Sequence, residues 1–226
     1  DDHDDHDDHD DHKDHDDHDD HDDHDDHKDH DDHDDHDDHD DHDDHAGHDH
    51  GAFDPHAWQS LTHAVTYVDN ITAGLAKADP ENAADYYANR ATYVTEIEAL
   101  NVDVTAMMAG LPEEKRTVVT SHDAFGYFAH AYGLTFEAPQ GLSTESEVSA
   151  ADVAELIEQI REEGISAVFI EAIADNRLLK QIANETDATI GGTLYSDGLS
   201  NAEGPASTYL DMMRHNAETL SKALSN

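Results

Sequence analysis

Three short apolar runs in this sequence each end on a side chain that can do chemistry. VVTS runs into His122 and Asp123, AVFI into Glu171, and IGGTLYS into Asp197 and Gly198. An imidazole and carboxylates supply nitrogen and oxygen donors, a set suited to a divalent transition metal of borderline softness. Zn2+ fits this set best because of the nitrogen donor, and Mn2+ is compatible. Each residue also has a plainer reading. His122 suits a capped loop, Glu171 suits a buried carboxylate paired with Arg177 or Lys180, and Asp197 suits a turn or helix cap. What joins them is their common place at the ends of β-like runs, since open α/β sheets bind ligands beyond the carboxyl ends of their strands.

The elements that must position them follow from the hydrophobic period. Leu61, Val65, Val68, Ile71 and Leu75 step by three and four, which predicts a helix ending before Pro80. A second long helical pattern starts at the caps Asp79 and Pro80 and stops near Gly110. From Arg116 the pattern alternates. RTVVTS, LTFEA, SAVFIE and ATIGGTLYS read as strands, and DAFGYFAHAYG, ADVAELIEQIREEG, DNRLLKQIANETD and GPASTYLDMMRHNAETLSKAL read as helices. Strands separated by helices of this length form βαβ units, so the expected class is α/β with a parallel four-stranded sheet flanked by helices.

Ahead of this body lies different material. Residues 1–45 are fifteen triplets, thirteen DDH and two KDH, with a net charge of -26 out of -45 for the whole chain of 226 residues. A segment without apolar side chains cannot offset an ordering cost of roughly 1–2 kcal/mol per residue, so disorder is expected there. Its histidines, His3, His6, His9, His12, His15, His18, His21, His24, His27, His30, His33, His36, His39, His42 and His45, continue into His48 and His50. They form a candidate low-affinity metal-collecting set. An acidic solubilising tail would need only the aspartates, which favours a role for the imidazoles.

The acidic body, with 9 Lys+Arg against 28 Asp+Glu outside the repeat, argues against nucleic acid and anionic membranes as partners. No run approaches the ~20 apolar residues of a membrane span, and no membrane insertion is expected. The absence of cysteine excludes disulfides. A removed signal peptide, or a chain that is part of a longer one, is expected from the missing leader. By residue type alone His56, in FDPHAW, reads as a surface histidine beside a packing Trp58, and His63, His130 and His215 read as helix side chains outside any site.

DPHAW, TSHDAFGYFAHAYGL, VFIE and GTLYSDGLS, in this order with two long helices after the first, resemble the zinc-binding solute-binding proteins of bacterial ABC transporters, the ZnuA-like zinc/manganese metal-binding cluster. The resemblance covers about residues 46–226. It implies two α/β lobes joined by a long helix, with metal held between them by His56, His122 and Asp197. It also implies that most of an amino-terminal lobe, with a further ligand histidine, has no counterpart in this sequence. SLTH after DPHAWQ departs from the family's usual pattern at the start of the long helix.

The expected organisation is therefore a His/Asp-rich collecting segment over 1–50, a ligand loop and connecting helix over 51–80, and a carboxy-terminal α/β lobe over 81–226. The expected function is periplasmic or otherwise extracytoplasmic capture of Zn2+ by a monomer and its delivery to an ABC transporter permease, without catalysis. Glu171 and Asp123 are expected to orient the ligands. The alternatives are a manganese-binding homologue, a zinc buffer or chaperone, and a metal-dependent hydrolase using Glu171 as base. No HExxH, nucleophile motif or phosphate loop supports the last of these.

Overall fold

The computed structural model describes residues 53–142 and 148–225. The repeat, with His48 and His50, lies outside the described residues, as does the expected boundary at residue 50. Ser60 opens helix α1 (Leu61–Ala78), its hydroxyl accepting from the His63 N–H. A short 3-10 turn at Pro80–Asn82 separates α1 from the long α2 (Ala83–Ala109), so Asp79 closes the first helix rather than directly capping the second. The remaining elements alternate: β1 (Thr117–Val119), α3 (Gly126–Tyr132), β2 (Thr135–Glu137), α4 (Ala150–Glu163), β3 (Ala167–Glu171), α5 (Arg177–Glu185), β4 (Thr189–Leu194) and α6 (Tyr209–Leu224).

Among the described residues the strands form one four-stranded sheet in the order β2-β1-β3-β4, every pairing parallel. Parallel strands need crossovers, and the intervening helices supply them. The fold is the expected α/β class. The period-2 alternation of strand side chains divides the core. Val118, Ala167 and Phe169 face one cluster with residues from α1, α2, α3 and α6, while Val119 and Val168 face a second with Leu156, Ile157, Ile160, Leu179 and Ile182 of α4 and α5. Both sheet faces are thus buried, which explains why the strands read as near-continuous apolar runs.

Two helix ends lead directly into strands. α4 begins with a reciprocal capping box between Ser149 and Asp152 and ends on Gly164 in the left-handed region. α3 likewise ends on left-handed Gly133, after which the chain turns directly into β2. The two glycine-capped helix ends thus set where β2 and β3 begin. No helix of the described residues is long and apolar enough to cross a membrane.

Candidate metal centre

His122 stands just past β1, and its neighbour across the sheet is Glu171, the last residue of β3. Glu171 is fully buried. Its Oε1 accepts the backbone N–H of Ser121 at 2.8 Å and that of His122 at 2.9 Å. Its Oε2 lies 2.9 Å from His122 Nδ1, close enough for an ion pair but outside hydrogen-bond geometry. Asn176 braces this strand end, accepting the Glu171 N–H through Oδ1 and donating to the Glu171 carbonyl through Nδ2. The expected pairing of Glu171 with Arg177 or Lys180 is therefore corrected. Arg177 instead holds the exposed Asp175, because α5 starts beyond the strand end and points its first side chain into solvent.

His56 stands on the loop before α1, at the start of a 3-10 turn (Ala57–Gln59). It is buried, 3% exposed, so its reading as a surface histidine is also corrected. Asp54 Oδ1 accepts both its backbone N–H and its ring Nδ1–H, each at 2.8 Å. Trp58 packs edge-on to the ring at 5.4 Å between centroids.

Asp197 follows β4 and faces both rings. His56 Nε2 is 3.2 Å from Asp197 Oδ1, and His122 Nε2 is 3.0 Å from Oδ2. Long-range hydrogen bonds hold the two loops together. Trp58 Nε1 and Gln59 Nε2 both donate to the Ser196 carbonyl, at 3.0 and 2.8 Å, and the Tyr209 hydroxyl donates to the Trp58 carbonyl at 2.7 Å. Asn216 on α6 pairs with both backbone groups of Tyr195.

The electrostatics of the three side chains are coupled. Burial alone would depress the His122 imidazolium, but hydrogen bonding to Asp197 and the charge of Glu171 outweigh it and carry its pKa up to about 9. Burial likewise opposes the His56 cation and is outweighed by Asp197 and Asp54, so its pKa is raised. Burial would raise Asp197, yet the two imidazoles hold it well below the usual carboxylate range. Protonated imidazoles would pair with Asp197 through both Nε2 atoms, and a divalent cation held by the same three side chains would compete with those protons.

One donor atom from each of His56, His122 and Asp197 lies within 4.8 Å of the others, and together they could hold a divalent metal. The structure brings these three residues together. Glu171 touches His122 from behind. Asp123 is half-buried, with its N–H on the Gln140 and Gly141 carbonyls, and is not one of the three converging donors. His215 sits away from the cluster, its Nε2 on the Thr193 carbonyl, and His63 packs on Tyr127. Sequence reasoning missed Asp54 and Gln59. An aspartate two residues before a histidine is the spacing of an Asx turn, which was a readable signal. The Gln59 contact spans 137 residues and left none.

Comparison with known proteins identifies a family. The family model described as ZnuA, zinc-uptake complex component A periplasmic, matches residues 1–223. Manganese-binding lipoprotein MntA of Bacillus subtilis is 37% identical over 177 residues, covering 76% of this chain and 58% of the relative. Zinc-binding protein AdcA of Streptococcus pyogenes is 37% identical over 175 residues, covering 77% and 33%. The solved periplasmic zinc binding protein TroA from Treponema pallidum superposes with a TM-score of 0.75 at 32% identity, covering 80% of this chain and 67% of that one. The chain thus spans a little over half the length of MntA. The matched family is a periplasmic metal-binding one, which sets an extracytoplasmic location. With its sheet, its long helices and its His56–His122–Asp197 cluster, the chain belongs to the ZnuA family of periplasmic metal-binding proteins of ABC transporters.

Proposed function

We propose that this protein captures Zn2+ outside the cytoplasm and delivers it, as a monomer, to an ABC-type permease. The observation that carries the reading is the convergence of His56, His122 and Asp197 on one point. Two imidazoles and one carboxylate match the borderline softness of Zn2+ better than that of harder cations. Three donors of this chain fill three positions of a tetrahedral site and leave the fourth to a donor outside the cluster. The loop and helix over 51–80 carry His56 and lead into the α/β lobe over 81–226.

The His/Asp-rich segment over 1–50 acts as a collector. Each triplet sets an imidazole among carboxylates whose charge concentrates cations, and the run ends eleven residues before His56. Tethering at that range places released metal near the cleft at an effective concentration of order mM. A second reading is Mn2+ capture, favoured by the manganese-binding relative of 37% identity.

Elemental analysis with chelator competition tests both parts, on the full chain, on the chain lacking residues 1–45, and on His122→Ala. Many weak sites lost with the repeat and one tight site lost with His122 are expected, with Zn2+ held more tightly than Mn2+. Equal occupancy in all three proteins would overturn the reading.

A further inference from the structure

We propose that Asp54 is the positioning residue of the His56 ligand, and that residue 126 is a glycine because the Asp54 carboxylate needs the space beside it. The inference rests on the reading of His56 as a metal ligand. Asp54 Oδ1 accepts two N–H groups of one residue, the His56 backbone N and the ring Nδ1, both at 2.8 Å. A side chain tied at its backbone and at its ring cannot rotate without breaking a bond. A carboxylate only accepts, so the proton stays on Nδ1, and Nε2 is the nitrogen turned toward Asp197 at 3.2 Å. Carboxylates behind ligating histidines set tautomer and ring orientation in this way.

The other oxygen explains the glycine. Asp54 Oδ2 stands 3.1 Å from the point a Cβ on Gly126 would occupy, inside ordinary van der Waals separation. A Cβ at the start of α3 would make the carboxylate give by a few tenths of an ångström. The glycine in HDAFGYF and the aspartate in FDPHAW are therefore one device, although they lie in separate parts of the sequence. Asp54 stands on a loop and its side chain is 23% exposed, whereas Glu171 is fully buried at a strand end.

The test uses the full 226-residue chain with Zn2+ alone. Affinity of the tight site is read by chelator competition for wild type, Asp54→Ala, Asp54→Asn and Gly126→Ala, with His122→Ala as control. The His56 Nδ1–H resonance, identified by its loss in His56→Gln, is read by NMR in metal-free and Zn2+-loaded protein. Asp54→Ala is expected to weaken Zn2+ binding roughly 10–100-fold and to abolish the Nδ1–H resonance. Asp54→Asn keeps an acceptor oxygen and recovers most of both, and Gly126→Ala shifts the resonance and weakens binding less than Asp54→Ala does. Should Asp54→Ala unfold, the other two variants carry the test. Wild-type affinity and an unchanged resonance in the Asp54 and Gly126 variants, with the tight site still lost in His122→Ala, would overturn this inference alone. Equal weakening in Asp54→Asn and Asp54→Ala with a matching fall in Tm would make the role merely structural and also overturn it. A wild-type chain without any tight site removes the ligand reading, and the metal-free resonance then still decides whether Asp54 holds the ring.

Discussion

His56 and His122 present the same atom to the same carboxylate, with ring centroids 5.5 Å apart, but the arms that hold them are built differently. The His122 arm belongs to the sheet. Its supporting carboxylate, Glu171, is wholly buried at the end of β3, takes two backbone N–H groups and is itself braced by Asn176. The His56 arm belongs to a loop. Its carboxylate lies two residues away, partly exposed, and Trp58 and Gln59 tie the loop to the backbone beside Asp197. One arm inherits its geometry from the core, the other from a local turn and a few long-range contacts. Damage to the first should cost stability and binding together, and damage to the second mainly binding.

Removing a ligand from the sheet arm gives the largest expected effect. His122→Ala should weaken the proposed tight metal site by more than ~100-fold, exceeding the loss typical of an outer partner, as read by chelator competition. Next comes its support. Glu171→Ala orphans the Ser121 and His122 N–H groups in a buried place, at roughly 1–3 kcal/mol each, so urea unfolding should show a loss of about 3 kcal/mol or more along with weaker zinc binding. An equal loss of stability in Asp54→Ala would erase the distinction between the arms.

The comparison also has a pH signature. The pKa of His122 is raised from 6.5 to about 9, so its pairing with Asp197 and Glu171 stabilises the metal-free fold fully below about pH 6.5. That contribution, at most about 3 kcal/mol, is lost as pH rises through about 9. A metal at the proposed site competes with the same proton, so its apparent affinity should climb by up to about tenfold per pH unit over this window while the metal-free Tm falls. Both slopes measured in Glu171→Gln should be shallower. A metal-free Tm that rises from pH 6.5 to 9 would contradict the assignment. The smallest effect belongs to Arg177→Ala, expected to stay within about 0.5 kcal/mol because its partner Asp175 is exposed. A loss comparable to that of Glu171→Ala would mean that Arg177 supports the buried carboxylate after all.

Much of this architecture was legible beforehand, because local rules wrote it. The steps of three and four through Leu61 to Leu75 marked α1, the β-branched runs marked β1 and β3, and Gly133 and Gly164 marked helix ends. His122 and Asp197 stood out because a parallel sheet delivers its strand ends to one rim. His56 did not, since nothing within a few residues tells a buried loop histidine from an exposed one, and only the resemblance of DPHAW to a known motif raised it.

The sequence by itself determined the order of strands and helices, the class of the sheet and the donor chemistry available at its rim, because periodicity and capping act over three or four residues. The tertiary structure alone decided which carboxylate serves which imidazole. Glu171 reached across the sheet to His122 rather than along the chain to Arg177, and Gln59 crossed 137 residues to Ser196. Those choices depend on which side chains a packed core brings within 3 Å or so of one another, and hydrogen bonds act only at that range.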